Sequence, residues 1–162
     1  EIASFNKEDL IYVDESGIDS YVHQFFGWAK RETKVFGEVS GKRYARESFV
    51  AALCGSEILS PFCFKGTCYT DLFNIWIETC LVPVLKPGQV VILDNATFHK
   101  SEKTKTLIEH ANCTLLFLPP YSPDLNPIET FWANLKAKIR TFLKYCSSLS
   151  DAIDHAFSVY IF

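Results

Sequence analysis

The sequence predicts an α/β domain built on a central mixed sheet. Two short apolar runs that each end in an acidic residue, Leu10-Ile11-Tyr12-Val13 before Asp14 and Val90-Val91-Ile92-Leu93 before Asp94, read as buried strands. A strand, helix, strand succession runs from Val90 to Leu118, and two amphipathic helices close the chain.

Taken in order, Leu10 to Val13 is a strand ending at Asp14, with Glu15-Ser16-Gly17 as the turn after it. His23 to Trp28 is a second strand and the apolar run Ser48 to Cys54 a third. From 71 to 82, Leu72, Ile75, Trp76, Thr79 and Val82 recur at a helical period until Pro83 and Pro87-Gly88 close the segment. The β-branched strand Val90 to Leu93 is followed by a helix from Ser101 to His110 and a strand from Thr114 to Leu118. In the next helix Ile128, Trp132, Leu135, Ile139 and Phe142 step by four, three, four and three, so one stripe packs on the core. Glu129, Ala133, Lys136 and Arg140 form the adjacent stripe, which sets a carboxylate one and two turns from basic groups. Ser150 to Phe162 is a second amphipathic helix.

With 162 residues, 48% hydrophobic and 15% aromatic, the chain suits one domain with a sizeable core. No segment approaches the ~18 uninterrupted apolar residues of a membrane span, and no basic region with an apolar core opens the chain, so a cytoplasmic location is expected. Six cysteines stand singly without a C-x-x-C pair, which predicts reduced, mostly buried thiols. The chain lacks Met and opens on Glu1, so it is expected to be a piece of a longer protein. A net charge of -3 argues against a general nucleic-acid binder. Yet six basic residues face two acidic ones between Lys30 and Arg46, and Thr130 to Ser150 holds four basic residues and no acid. Each cluster alone reads as a solvated surface; together they suit a phosphate-binding path.

The stretch PPYSPDLNPIETFWANLK, residues 119 to 136, admits two readings of its carboxylate. Asn126 suits an N-cap, Pro127 the first helical position, and Glu129 falls three residues after the cap, where a capping box wants Glu or Gln. Alternatively, a helix start lying against the sheet edge would bring Glu129 to Asp14 and Asp94, since the strand ends of α/β folds are where ligands collect. Three oxygen donors suit Mg²⁺ or Mn²⁺ and phosphoryl transfer. Glu15 competes with Asp14 for the first position, but strand alternation sends the two to opposite faces.

Asp94 and Glu129 enclose 34 residues, and Asp14 precedes Asp94 by 80. With "VDESG" at Asp14, "ILDNATFHKS" at Asp94 and "LPPYSPDLNPIETFWANLK" at Glu129, the chain resembles the catalytic domain of DDE transposases of the mariner superfamily, bacterial insertion-sequence branch, from about Leu10 to Ser158. The resemblance implies an RNase H-like fold with a mixed five-stranded sheet flanked by helices, and Asp14, Asp94 and Glu129 as catalytic metal ligands for Mg²⁺, with Mn²⁺ as substitute, as two ions. It implies metal-dependent DNA cleavage at element ends and transfer of the 3′-hydroxyl into target DNA, with TA target sites and a homodimer in the synaptic complex. Residues 1–162 would form the catalytic domain, without the family's N-terminal helix-turn-helix region. Asn95, His99, Lys136 and Arg140 are candidates for DNA contact or for support of the ligands, with His99 otherwise capping the next helix. Tyr121 and Trp132 are expected in loop or core packing. The rival expectations are an RNase H-like nuclease that cuts without joining and an inactive transposase kept as a DNA-binding or assembly module.

Overall fold

Leu10–Asp19 form β1, the central strand of the sheet, with Ile11 and Val13 fully buried. The coordinates are a computed structural model that describes residues 5–19, 46–120 and 122–161. β1 does not stop at Asp14. Antiparallel pairing with β2 (Arg46–Cys54) continues through Asp14 opposite Ala51 to Asp19 opposite Arg46. That ladder satisfies the backbone of Glu15-Ser16-Gly17 and overrides its local turn preference. The strand expected at His23 to Trp28 lies outside the described residues, whereas that at Ser48 to Cys54 is present as β2.

The sequence reading lacks β3 (Glu57–Lys65), which returns antiparallel to β2 after the Gly55-Ser56 turn. It carries Pro61, which a central strand would not tolerate, and the described strands place β3 outermost beside β2. A bulge also accommodates it: Ser60 takes φ 51° where the register shifts opposite Val50 and Ala52. Gly55 sits at φ 58° with open space around a would-be Cβ. Gly55→Ala is therefore expected to cost about 1 kcal/mol through backbone strain alone, measured as a lower urea midpoint at unchanged slope.

β4 (Val90–Leu93) and β5 (Thr114–Phe117) lie where expected and complete a five-stranded mixed sheet in the order β3-β2-β1-β4-β5. β4 is parallel to both β1 and β5. Period-two alternation divides the core between two faces. Phe49, Ala51 and Leu53 pack with Ile18 against the last two helices, while Ile11, Val13, Val50 and Ala52 pack against the first two.

α1 (Thr70–Trp76) continues through a wider π-type turn at Ile77–Leu81. Its buried face is Phe73, Trp76, Ile77 and Leu81; Ile75 is 54% exposed, so the expected stripe is rotated. The larger rings at Phe73 and Trp76 take the core because they bury more apolar area. α2 (Glu102–His110) begins where predicted, with Ser101 Oγ accepting from the Thr104 amide at 3.0 Å. α3 (Ile128–Phe142) buries Ile128, Trp132, Leu135 and Ile139, as its period requires, and α4 (Leu149–Ile161) packs beside it. Trp132 is 1% exposed between Phe49 and Phe131, with ring centroids at 5.1 and 5.0 Å.

All six cysteines are free, but only Cys113 is buried and Cys63 is exposed, so the expectation of mostly buried thiols fails. Cys63 lies on β3, whose outer position leaves side chains uncovered. Among the described residues no helix is long and apolar enough to cross a membrane.

Candidate active site

Pairing within the sheet decides where the carboxylates go. The parallel ladder of β1 and β4 ends at Tyr12 opposite Ile92. Asp14 and Asp94 each follow two residues later, past the last pair, where the two strands are no longer tied by that ladder. Asp14 is thus not at a strand end, as expected, but inside β1 at the point where one neighbour drops away. Glu129 projects from the first turn of α3, the helix packed on β1. All three line one cavity of about 540 Å³, together with Asn95, Lys100, Ser122 and Asn126.

Asp14 is 7% exposed. Burial raises its carboxyl to about 7, and the neighbouring carboxylates of Glu15, Glu129 and Asp94 push the same way. Asp94 is held below the usual carboxylate range, chiefly by its hydrogen bond to His99 and also by the Ala96 amide. Both bonds fall on Oδ1, at 2.6 Å from His99 Nδ1 and 2.9 Å from Ala96 N.

Alternation sends Glu15 to the opposite face of β1 from Asp14, as expected, and gives it a partner that sequence reading did not anticipate. His99 Nε2 lies 2.7 Å from Glu15 Oε1, so one imidazole bridges Glu15 and Asp94. Burial lowers the basicity of this ring, but the two hydrogen bonds outweigh it and hold the group up at about 9. His99 is 0% exposed, between Phe73 and Phe98, so it is placed neither to touch DNA nor to cap α2, whose cap is Ser101. Asn95 lines the cavity and donates from Nδ2 to the Leu118 carbonyl at 3.3 Å.

The capping box is not formed. α3 starts one residue later than expected, and among the described residues no side chain caps it and the buried Asn126 Oδ1 has no partner. The Glu129 amide bonds to the Asn126 carbonyl at 3.1 Å, while the Glu129 side chain is exposed at the cavity. Pro127, at φ -60° and ψ -25°, already takes helical angles at the cap position. Lys136 stands further along this face; burial lowers its ammonium, Glu129 opposes that shift, and Arg140 and Arg46 add to it. Arg46 is the described member of the first basic cluster; the others and Tyr121 lie outside the described residues.

Among the described residues no three Asp, Glu, His or Cys side chains converge as a ready-made metal cage. The donor chemistry nevertheless fits a hard divalent cation: three carboxylates border one cavity, and one of them is buried and raised by its neighbours. Sequence reading missed Lys100, Ser122 and Asn126 as cavity residues. For Lys100, its position six residues after Asp94 was the available signal.

The sheet order and its two helical layers define the class: an RNase H-like fold. The same fold is seen in the Mos1 strand transfer complex, at a TM-score of 0.69 and 17% identity over 94% of this chain and 47% of that one. A Mos1 mariner paired-end complex with Mn matches at 0.69 and 14% over 96% and 48%, and the catalytic core of BIV integrase at 0.56 and 12% over 92% and 80%. The chain belongs to the DDE superfamily endonuclease family, whose model matches residues 9–150. Over 43 residues it is 51% identical to the uncharacterised protein y4pE/y4sA of Sinorhizobium fredii (strain NBRC 101917 / NGR234), a match covering 26% of this chain and 30% of that protein. The chain thus matches under a third of that relative and about half of the Mos1 chain.

Proposed function

We propose that this chain is the catalytic domain of a mariner-type transposase, which cleaves DNA at the ends of a mobile element and joins the freed 3′-hydroxyl to target DNA. The observation that carries the reading is the meeting of Asp14, Asp94 and Glu129, from distant parts of the chain, on one cavity. Asp14, Asp94 and Glu129 would hold Mg²⁺, or Mn²⁺ in its place, as two ions. Bound metal supplies activation of an attacking water or 3′-hydroxyl and stabilisation of the leaving oxygen in an in-line displacement.

The chain's own groups do the rest. His99 holds Asp94 from behind, and Asn95 borders the cavity with its amide anchored to Leu118. Lys100 at the cavity, with Lys136 and Arg140 along α3, suits a phosphate backbone running past the carboxylates. Its DNA partners would be the element's terminal inverted repeats and the target, and a homodimer would pair two ends before insertion, at TA sites, in cytoplasmic DNA.

A strand-transfer assay tests this: a labelled, pre-cleaved 3′-hydroxyl end is incubated with the chain, target plasmid and Mn²⁺, and joined product is expected. Cutting without joining would make the chain an RNase H-like nuclease. DNA binding with neither reaction would make it an inactive binding or assembly module. On the same DNA, Lys136→Ala is expected to weaken binding uniformly across sequences and to reduce the slope of log K against log salt by about 1. An unchanged slope would remove Lys136 from the phosphate path.

A further inference from the structure

We infer that Glu15 is a positioning residue for the carboxylate cluster, acting through His99 to fix the orientation of Asp94. The inference rests on the proposed metal-dependent reaction, and its starting point is a gap in the sheet. Beyond Tyr12 opposite Ile92 no β1–β4 pairing remains, yet Asp14 and Asp94 must keep a set spacing to share a ligand. Asp94 lies past the end of β4, and its side chain is 44% exposed, so packing alone does not hold it.

The bridge across that gap is Glu15 Oε1, His99 and Asp94 Oδ1, at 2.7 and 2.6 Å. The ring at its centre is fully buried, with the Phe73 and Phe98 centroids at 4.4 and 4.3 Å, which leaves the imidazole no freedom to turn. Each ring nitrogen meets a carboxylate oxygen, so both N–H groups donate. His99 and the Ala96 amide together occupy Oδ1 of Asp94, and the bonds described leave Oδ2 for the cavity. Because Glu15 directly follows Asp14 in β1, one strand supplies both a cavity carboxylate and the anchor that orients its partner. Outer hydrogen-bond partners of this kind commonly set metal affinity through the ligand they hold.

The test compares Glu15→Ala, which removes the acceptor, with Glu15→Gln, whose amide oxygen can still accept from His99 Nε2. Crystal structures of both variants and the wild-type chain, grown without metal, report the Asp94 carboxylate directly. Titration with Mn²⁺, followed by calorimetry, reports affinity apart from activity. Glu15→Ala is expected to release Asp94 from its orientation and to weaken Mn²⁺ binding about 10- to 100-fold, with Glu15→Gln restoring both. In cleavage assays the Ala variant should need more metal for half-maximal rate while its rate at saturating metal changes less. An unmoved Asp94 and wild-type Mn²⁺ affinity in Glu15→Ala would overturn the inference, as would Gln failing to restore either in a folded protein. A wild-type chain that binds no Mn²⁺ would instead overturn the metal-dependent reading itself, with the role given to Glu15, and the crystal structures would tell that failure from failure of the bridge.

Discussion

Asp14→Asn is expected to abolish DNA cleavage and to stabilise the chain. The loss should be on the order of 10³-fold or more, as when one member of a group acting as a unit is removed. The gain follows from linkage. The folded-state carboxyl is raised from 3.8 to about 7, so between those values the folded chain holds a proton that the unfolded chain has lost. Stability without metal therefore falls as pH rises from about 4 to about 7 and stays low above. Asn carries no charge to bury. At pH 8 the variant should be more stable by on the order of 2–4 kcal/mol, with little difference at pH 4. Thermal melts at both pH values, without metal, check the sign. A variant no more stable than wild type at pH 8 would show that Asp14 carries no such burden. Added Mn²⁺ should stabilise the wild type more than the variant, because the variant has lost one of the three carboxylates that gain a counter-charge.

The largest loss of stability is expected at Trp132. Its ring is 1% exposed and fills the space between Phe49 and Phe131 under α3. Trp132→Ala removes that volume from a region joining β2, α3 and α4, at a cost of about 3–5 kcal/mol. Trp132→Phe should cost less than half as much, since the indole Nε1 has no hydrogen-bond partner to lose among the described residues. Urea unfolding followed by circular dichroism gives both numbers. Equal losses in the two variants would mean that the nitrogen, rather than the ring volume, matters here. Because α3 also carries Glu129, Trp132→Ala should lower cleavage as well, in proportion to the unfolded fraction at the assay temperature.

Much of this architecture is legible residue by residue. Val90 to Leu93 could only be a buried strand, because a four-residue apolar β-branched run between Pro87-Gly88 and Asp94 is too short for a helix. The stripe of α3 was readable because Ile128, Trp132, Leu135 and Ile139 repeat on one face, and that face is the one buried. β3 was not readable, because Pro61 and a bulge at Ser60 obscure its alternation, and only pairing with β2 makes it a strand. The face of α1 was misjudged because several apolar residues compete there, and depth of packing selected Phe73 and Trp76 over Ile75.

For the candidate site, the sequence alone determined which carboxylates to consider: the spacing and surroundings of Asp14, Asp94 and Glu129 carry a family pattern, and the family match spans all three. It also determined, through strand alternation, that Asp14 and Glu15 leave β1 on opposite sides. What each side chain does was decided by tertiary structure. The capping box at Asn126 satisfies every local rule and yet does not form, because how the helix begins depends on its seat against β1. The bridge from Glu15 through His99 to Asp94 joins residues 84 positions apart at its longer span. Local propensity acts over a few neighbours and cannot report such a contact; it exists only because the sheet sets β1 beside β4 and the aromatic rings of Phe73 and Phe98 close over the imidazole.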